Sequence, residues 1–133
     1  MKYLKRLYKY ELLDDFIAQI PVTPGQVIEH EYYYLNTIGL LHIRRGYMWD
    51  GPSGPTYDSK GLMIGSLVHD VGYQMTRDGW FDIDQDRALW DQVYFDLIKR
   101  NGINPIRAWG HYRMLRRFGW KAALPDKDHI YEV

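Results

Sequence analysis

A chain of 133 residues, 46% of them hydrophobic and 16% aromatic, carries enough apolar material for one packed core, and too much for a disordered segment. Seventeen basic residues balance seventeen acidic ones, which argues against a dedicated nucleic-acid binder, and the absence of cysteine excludes disulfides and thiolate chemistry. No apolar run approaches the roughly 20 residues of a membrane helix, and Met1 to Tyr10 alternate apolar and basic residues without the pattern of a secretory signal.

The expectation is therefore a single domain over 1–133 that is not exported by a classical signal peptide. Residues 2–13 and 26–48 are rich in Tyr, Ile, Leu and Val with short alternations, Ile28, His30, Tyr32 and Tyr34 against Glu29 and Glu31, and predict strands. Pro21, Pro24 and Gly25 separate the two runs, and Asn36-Thr37 suits a turn into Ile38 to Arg44. Residues 1–48 thus form a strand-rich, antiparallel part, followed by a Gly/Pro loop over 49–60.

From Asp58 the period becomes helical. Ile64, Leu67, Val68, Val71 and Met75 recur on one stripe, with Ser59 available as a cap. A second helix starts near Asp84 or Asp86 and buries Trp90, Val93, Tyr94 and Leu97 before Asn101-Gly102 stops it. A third opens with Asn104 and Pro105, buries Ala108, Tyr112 and Leu115, and ends at Gly119. The helical part covers 61–120, and 121–133 reads as a C-terminal extension. The fold class is α+β: a small N-terminal antiparallel sheet and three helices, the first two antiparallel.

The chemistry gathers between Trp49 and Asp91. His69 and Tyr73 stand four residues apart on one face of the first helix, away from its apolar stripe, and Gly65 and Gly72 beside them permit close approach. Asp91 borders the apolar stripe of the second helix, so antiparallel pairing aims its carboxylate at the His69 ring. A carboxylate on one ring nitrogen fixes the tautomer and leaves the other nitrogen free to take a proton from water. Asp70 projects to the side of that face, and the loop from Trp49 through Asp50, Gly51 and Ser53 offers carbonyls and a second carboxylate. Hard oxygen ligands of this kind suit calcium or magnesium. Equally, a histidine with carboxylates and a tyrosine is what a buried hydrogen-bond network contains, and Asp50 is also a fitting turn carboxylate.

Gly46-Tyr47-Met48-Trp49-Asp50-Gly51-Pro52-Ser53-Gly54-Pro55, then His69-Asp70-Val71-Gly72-Tyr73, then Asp91 and the Ala108 to Gly119 segment resemble the domain-of-unknown-function 1353 family of tailed phages and prophages. That likeness runs from Gly39 onward. It implies a phage protein working in the host cytoplasm or the virion. The core also resembles prokaryotic phospholipase A2, with its Trp-Asp-Gly loop, His-Asp-x-x-Tyr helix and Asp-x-x-Phe helix, here Asp91-Gln92-Val93-Tyr94. This second resemblance implies His69 as the water-activating base, Asp91 as its orienting partner, Asp50 and Asp70 as calcium ligands, and Tyr73 in the supporting network. Those phospholipases are disulfide-stapled and exported, and this chain has neither cysteine nor signal.

The leading expectation is a metal-assisted hydrolase of an ester or similar acyl bond, with a lipid among its candidate substrates. The runner-up is a non-enzymatic accessory or virion protein, with a virion or host protein as partner. Asp78, Asp82, Asp84 and Asp86 lack the Gly and distal Glu of an EF-hand and read as a solvated turn and helix start. The arginines of the third helix read as a solvated face, and His30, His42, His111 and His129 as too scattered to act together.

Overall fold

The computed structural model describes residues 1–7, 9–52 and 59–124. Seven short strands come first among them: β1 (Tyr3–Lys5), β2 (Tyr10–Leu12), β3 (Phe16–Gln19), β4 (Ile28–Glu29), β5 (Tyr33–Leu35), β6 (Leu40–Ile43) and β7 (Met48–Trp49). Helices α1 (Lys60–Arg77), α2 (Ile83–Arg100) and α3 (Pro105–Phe118) follow, and a 3-10 turn over Gly119–Ala123 completes the described chain. The α+β order is the expected one.

The strands divide into two antiparallel sheets where one was expected. One has the order β1-β2-β7 and pairs Tyr10 with Trp49, while the other has the order β3-β6-β5-β4. Strand β3 was not anticipated; it pairs Phe16 through Gln19 with Ile43 through Leu40. The alternation expected over 28–34 also breaks. Ile28, Tyr33 and Leu35 are buried, while His30 and Tyr32 are exposed, because a bend at 31–32 reverses the parity of the strand. The turn at Asn36 forms as expected, its side-chain oxygen accepting from the N–H groups of Ile38 and Leu40.

The helix boundaries follow local capping chemistry. Ser59 accepts from Leu62 N–H at the start of α1, Asp82 from Asp84 and Gln85 at the start of α2, and Asn104 from Ile106 at the start of α3. The acidic run before α2 is thus a cap and turn, as read: Asp86 accepts from the Asp82 N–H, and Asp78 accepts from the Tyr33 hydroxyl at 2.6 Å.

Helix α1 is the core element, with 14 of its 18 residues buried. Its apolar stripe of Leu67, Val68, Val71 and Met75 packs with Leu12, Leu35, Leu41 and Ile43 from both sheets. Each such side chain, fully buried, contributes about 1.5–3 kcal/mol. Its other face meets α2. Gly61 lies by Asn101, Gly65 by Ile98 and Gly72 by Trp90, a falling series that fixes the two helices as antiparallel. A Cβ at Gly72 would overlap the Trp90 indole and one at Gly65 would overlap Ile98, so these glycines admit α2 itself. Helix α3 is docked far more lightly, with Ala108 as its buried residue; Tyr112 and Leu115, expected in the core, are half-buried.

Candidate functional site

The antiparallel packing of α1 on α2 sets His69 against Asp91. Nε2 of the ring lies 2.7 Å from Asp91 Oδ1, and the same oxygen accepts from the Tyr73 hydroxyl at 2.6 Å. The other carboxylate oxygen accepts from Arg116 Nη1 at 2.8 Å and, more weakly, from Arg87 Nη1 at 3.4 Å. Asp91 is fully buried, so these donors are what makes its charge tolerable. Arg87 also donates to the carbonyls of Leu115 and Arg116, tying α2 to the end of α3.

Burial alone would raise the Asp91 pKa. Hydrogen bonds from His69 and Tyr73, the charge of His69 and the bond from Arg116 outweigh it and hold the carboxyl below its ordinary range. For His69, burial pushes downward, and the neighbouring carboxylates, Asp70 at 3.9 Å and Asp91 at 2.7 Å, carry the ring above its usual value. Tyr73 is pushed up, first by burial and then by Asp91, so its hydroxyl keeps its proton and acts as a donor.

With Nε2 engaged by a carboxylate, Nδ1 is the nitrogen left over, 3.9 Å from Asp70 Oδ1 and beyond hydrogen-bond reach. His69 is 5% exposed, yet it lines a cavity of about 230 Å³. Asp50, Gly51, Asp70 and Tyr73 are among its polar lining, and Tyr94, Met114, Leu115 and Phe118 give it apolar surface. The arrangement offers a basic nitrogen to a water or polar group beside an apolar body.

The expected metal site is looser. Asp70 Oδ2 accepts the backbone N–H of Asp50 at 3.1 Å and thereby positions the loop, while the Asp50 carboxylate is exposed and lies 3.5 Å from Lys9 Nζ. Among the described residues no three His, Asp or Glu side chains gather to hold an ion. A cation here would rest on the Asp70 carboxylate and on backbone carbonyls of the loop.

Of the loop residues expected at the site, Gly51 lines the cavity, with its φ of +83° placing it against the Tyr10 ring. Trp49 does not line it: its ring is buried in the core and its indole N–H donates to Ser66 Oγ at 3.1 Å, a packing role. Ser53 lies outside the described residues.

Three site residues escaped the sequence reading. Arg116, assigned to a solvated face, reaches the buried Asp91. Arg87 stands one helical turn before Asp91, and that spacing was the available signal. His111, set aside as scattered, lines the cavity from α3 with its ring 6.3 Å from that of Tyr94, whose ring is 5.5 Å from that of His69. Burial, reinforced by Arg107, holds His111 below the ordinary histidine value.

Comparison with protein-family models, with curated proteins and with solved structures finds no match for this chain.

Proposed function

We propose that the protein is a hydrolase of an ester or related acyl bond in which His69 activates a water molecule. The observation that carries this reading is a cavity-lining histidine oriented by a buried carboxylate through Nε2, whose Nδ1 has no hydrogen bond among the described residues and stands 3.9 Å from Asp70. Nδ1 takes a proton as the water oxygen attacks the acyl carbon, and the resulting imidazolium is stabilised by Asp91, which stays ionised. Collapse of the tetrahedral intermediate breaks the bond to the leaving oxygen, which takes the proton back from Nδ1. Tyr73 and Arg116 hold the Asp91 carboxylate in place throughout.

Calcium is the proposed cofactor, held by Asp70 with loop carbonyls; its chemistry would be to polarise the acyl carbonyl. The apolar surface of Met114, Leu115 and Phe118 suits an acyl chain and supports a lipid or other hydrophobic ester as substrate. The order of the Asp50 loop, the His69-Asp70 pair and Asp91 supports membership of the phage family with which it shares that pattern, and so a place of action in the host cytoplasm or virion.

A second reading has its own observation. Arg87 and Arg116 join the ends of α2 and α3 through Asp91 and two carbonyls, a clamp that needs no turnover and suits an accessory or virion protein. The two readings part on one experiment. Hydrolysis of p-nitrophenyl esters of short and long acyl chains is measured for the wild type and for His69→Gln with its fold verified. A wild-type rate that falls at least about a hundredfold in the variant supports the hydrolase. Equal rates, or no wild-type rate with or without calcium, overturn it, and recovery of the protein in purified particles then supports the virion reading.

A further inference from the structure

Helix α3 works on two sides. His111, Leu115 and Phe118 face the cavity, while Trp109, Tyr112, Arg113, Arg116 and Arg117 fall at i, i+3, i+4, i+7 and i+8 and line a separate groove of about 560 Å³. No Asp or Glu occurs from Leu97 to Leu124. Among the described residues Arg116 alone of the three arginines has an acidic partner, Asp91, at 2.8 Å, and it also lines the groove. Arg113 and Arg117 have no acidic partner among the described residues. Their guanidinium groups lie over aromatic rings instead, Arg113 at 5.0 Å from the Trp109 centroid and Arg117 at 5.3 Å from that of Phe118. Stacking of this kind orients a guanidinium plane and leaves its N–H donors unspent.

Arg113 and Arg117 are like charges at i and i+4 with no acid on the helix to offset them, while Arg116 between them is paired with Asp91. We propose that this groove binds the terminal phosphate of a soluble phosphomonoester. A terminal phosphate brings close to two negative charges and three acceptor oxygens, which suits a groove lined by Arg113, Arg116 and Arg117. An in-line phosphodiester presents a single charge and two free oxygens, a poorer match. Trp109 and Tyr112 offer ring surface to the body of the ester. The groove is distinct from the His69 cavity, and the proposal stands whether or not His69 supports turnover.

The test is calorimetric titration of the full chain with inorganic phosphate, with phenyl phosphate and with dimethyl phosphate, each against sodium chloride at matched ionic strength. One saturable site is expected for inorganic phosphate, tighter binding for phenyl phosphate, and no more than the chloride response for the diester. The double variant Arg113→Gln/Arg117→Gln, checked for an unchanged circular dichroism spectrum, weakens phosphate at least tenfold, whereas Lys121→Gln binds as the wild type. The Nε–H resonance of Arg116 shifts along the same isotherm. Equal binding by the double variant, equal binding of the diester, or a matching loss in Lys121→Gln overturns the proposal. So does adsorption to phosphatidylglycerol vesicles without binding of free phosphate, which would assign the arginines to a membrane surface.

Discussion

On one side of the His69 ring stands Asp91, which is itself gripped by Tyr73, Arg87 and Arg116 from three helices; on the other, Asp70 stands 3.9 Å from the ring and shares a single backbone hydrogen bond with Asp50, whose carboxylate makes one long contact to Lys9. The first side is buried and prepared for one chemical arrangement. The second is half open, with the Asp50 side chain 77% exposed, and its carboxylates are free to take new partners. Pre-organisation is costly to break and cheap to use, because the donors need not reorient during the reaction. Substitutions on the two sides should therefore differ in kind as well as in size.

The largest effect is expected from Asp91→Asn. Removing this charge leaves Arg116, Arg87 and His69 facing a neutral amide in a buried site, and breaking such a network costs about 3–5 kcal/mol. Urea unfolding should show that loss, with hydrolysis abolished in the surviving folded fraction. A cost under about 1 kcal/mol would mean that the three helices do not depend on this carboxylate, and the contrast between the two sides would collapse.

His69→Gln comes next and separates chemistry from support. The ring makes one hydrogen bond among the described residues, so the stability loss should stay near 1–2 kcal/mol, while the proposed ester hydrolysis falls by about 10² or more. Activity and stability should also move oppositely with pH. If His69 is the base, it must be neutral, and the rate should rise through a midpoint above the ordinary 6.5 of histidine. The stabilisation from His69 runs the other way: it is full below 6.5 and is lost as pH rises through the elevated folded value. Asp91, whose folded value is lowered, contributes above 3.8 and loses that contribution as pH falls through its folded value. A rate profile with its midpoint below 6.5 would point away from His69 as the base.

Much of this pre-organised side was legible in the sequence, and the reason is local. Ser59, Asn101-Gly102 and Asn104-Pro105 mark helix ends through contacts within a few residues, and four-residue spacing puts His69 and Tyr73 on one face, so Asp91 needed only an antiparallel neighbour. What escaped was non-local. Strand β3 and the split into two sheets depend on pairings such as Phe16 with Ile43, which no short window contains. A helical wheel states which way Arg116 leaves α3, and not that Asp91 lies 25 positions back within reach of a long side chain. Trp49 shows the converse: its place beside Asp50 in a motif suggested the site, and Ser66 claims its indole for the core.

Tyr73→Phe is a smaller perturbation of the same side. It removes one donor to Asp91 Oδ1 while His69 retains its own bond to that oxygen. About 1 kcal/mol of stability should be lost. In the proposed mechanism Tyr73 acts through the carboxylate, so the rate should fall less than in His69→Gln. A rate loss as large as that of His69→Gln would make the tyrosine a direct participant.

The smallest effects belong to the open side, where Asp50→Asn and Asp70→Asn sharpen the comparison between two neighbouring carboxylates. Asp50 points at Lys9 in solvent, and exposed pairs of this kind contribute little, so its removal should change stability by less than about 0.5 kcal/mol. Asp70 instead receives the Asp50 N–H and stands 3.9 Å from the histidine ring. An asparagine there keeps an acceptor for the loop but removes a charge that favours the imidazolium, so the midpoint of the pH–rate profile should fall relative to the wild type. Calorimetric titration with calcium completes the test. If Asp70 with loop carbonyls holds the ion, Asp70→Asn abolishes binding and Asp50→Asn weakens it only slightly. Equal losses in both variants would place the ion between the two side chains, and undiminished binding in both would remove calcium from this side of the ring.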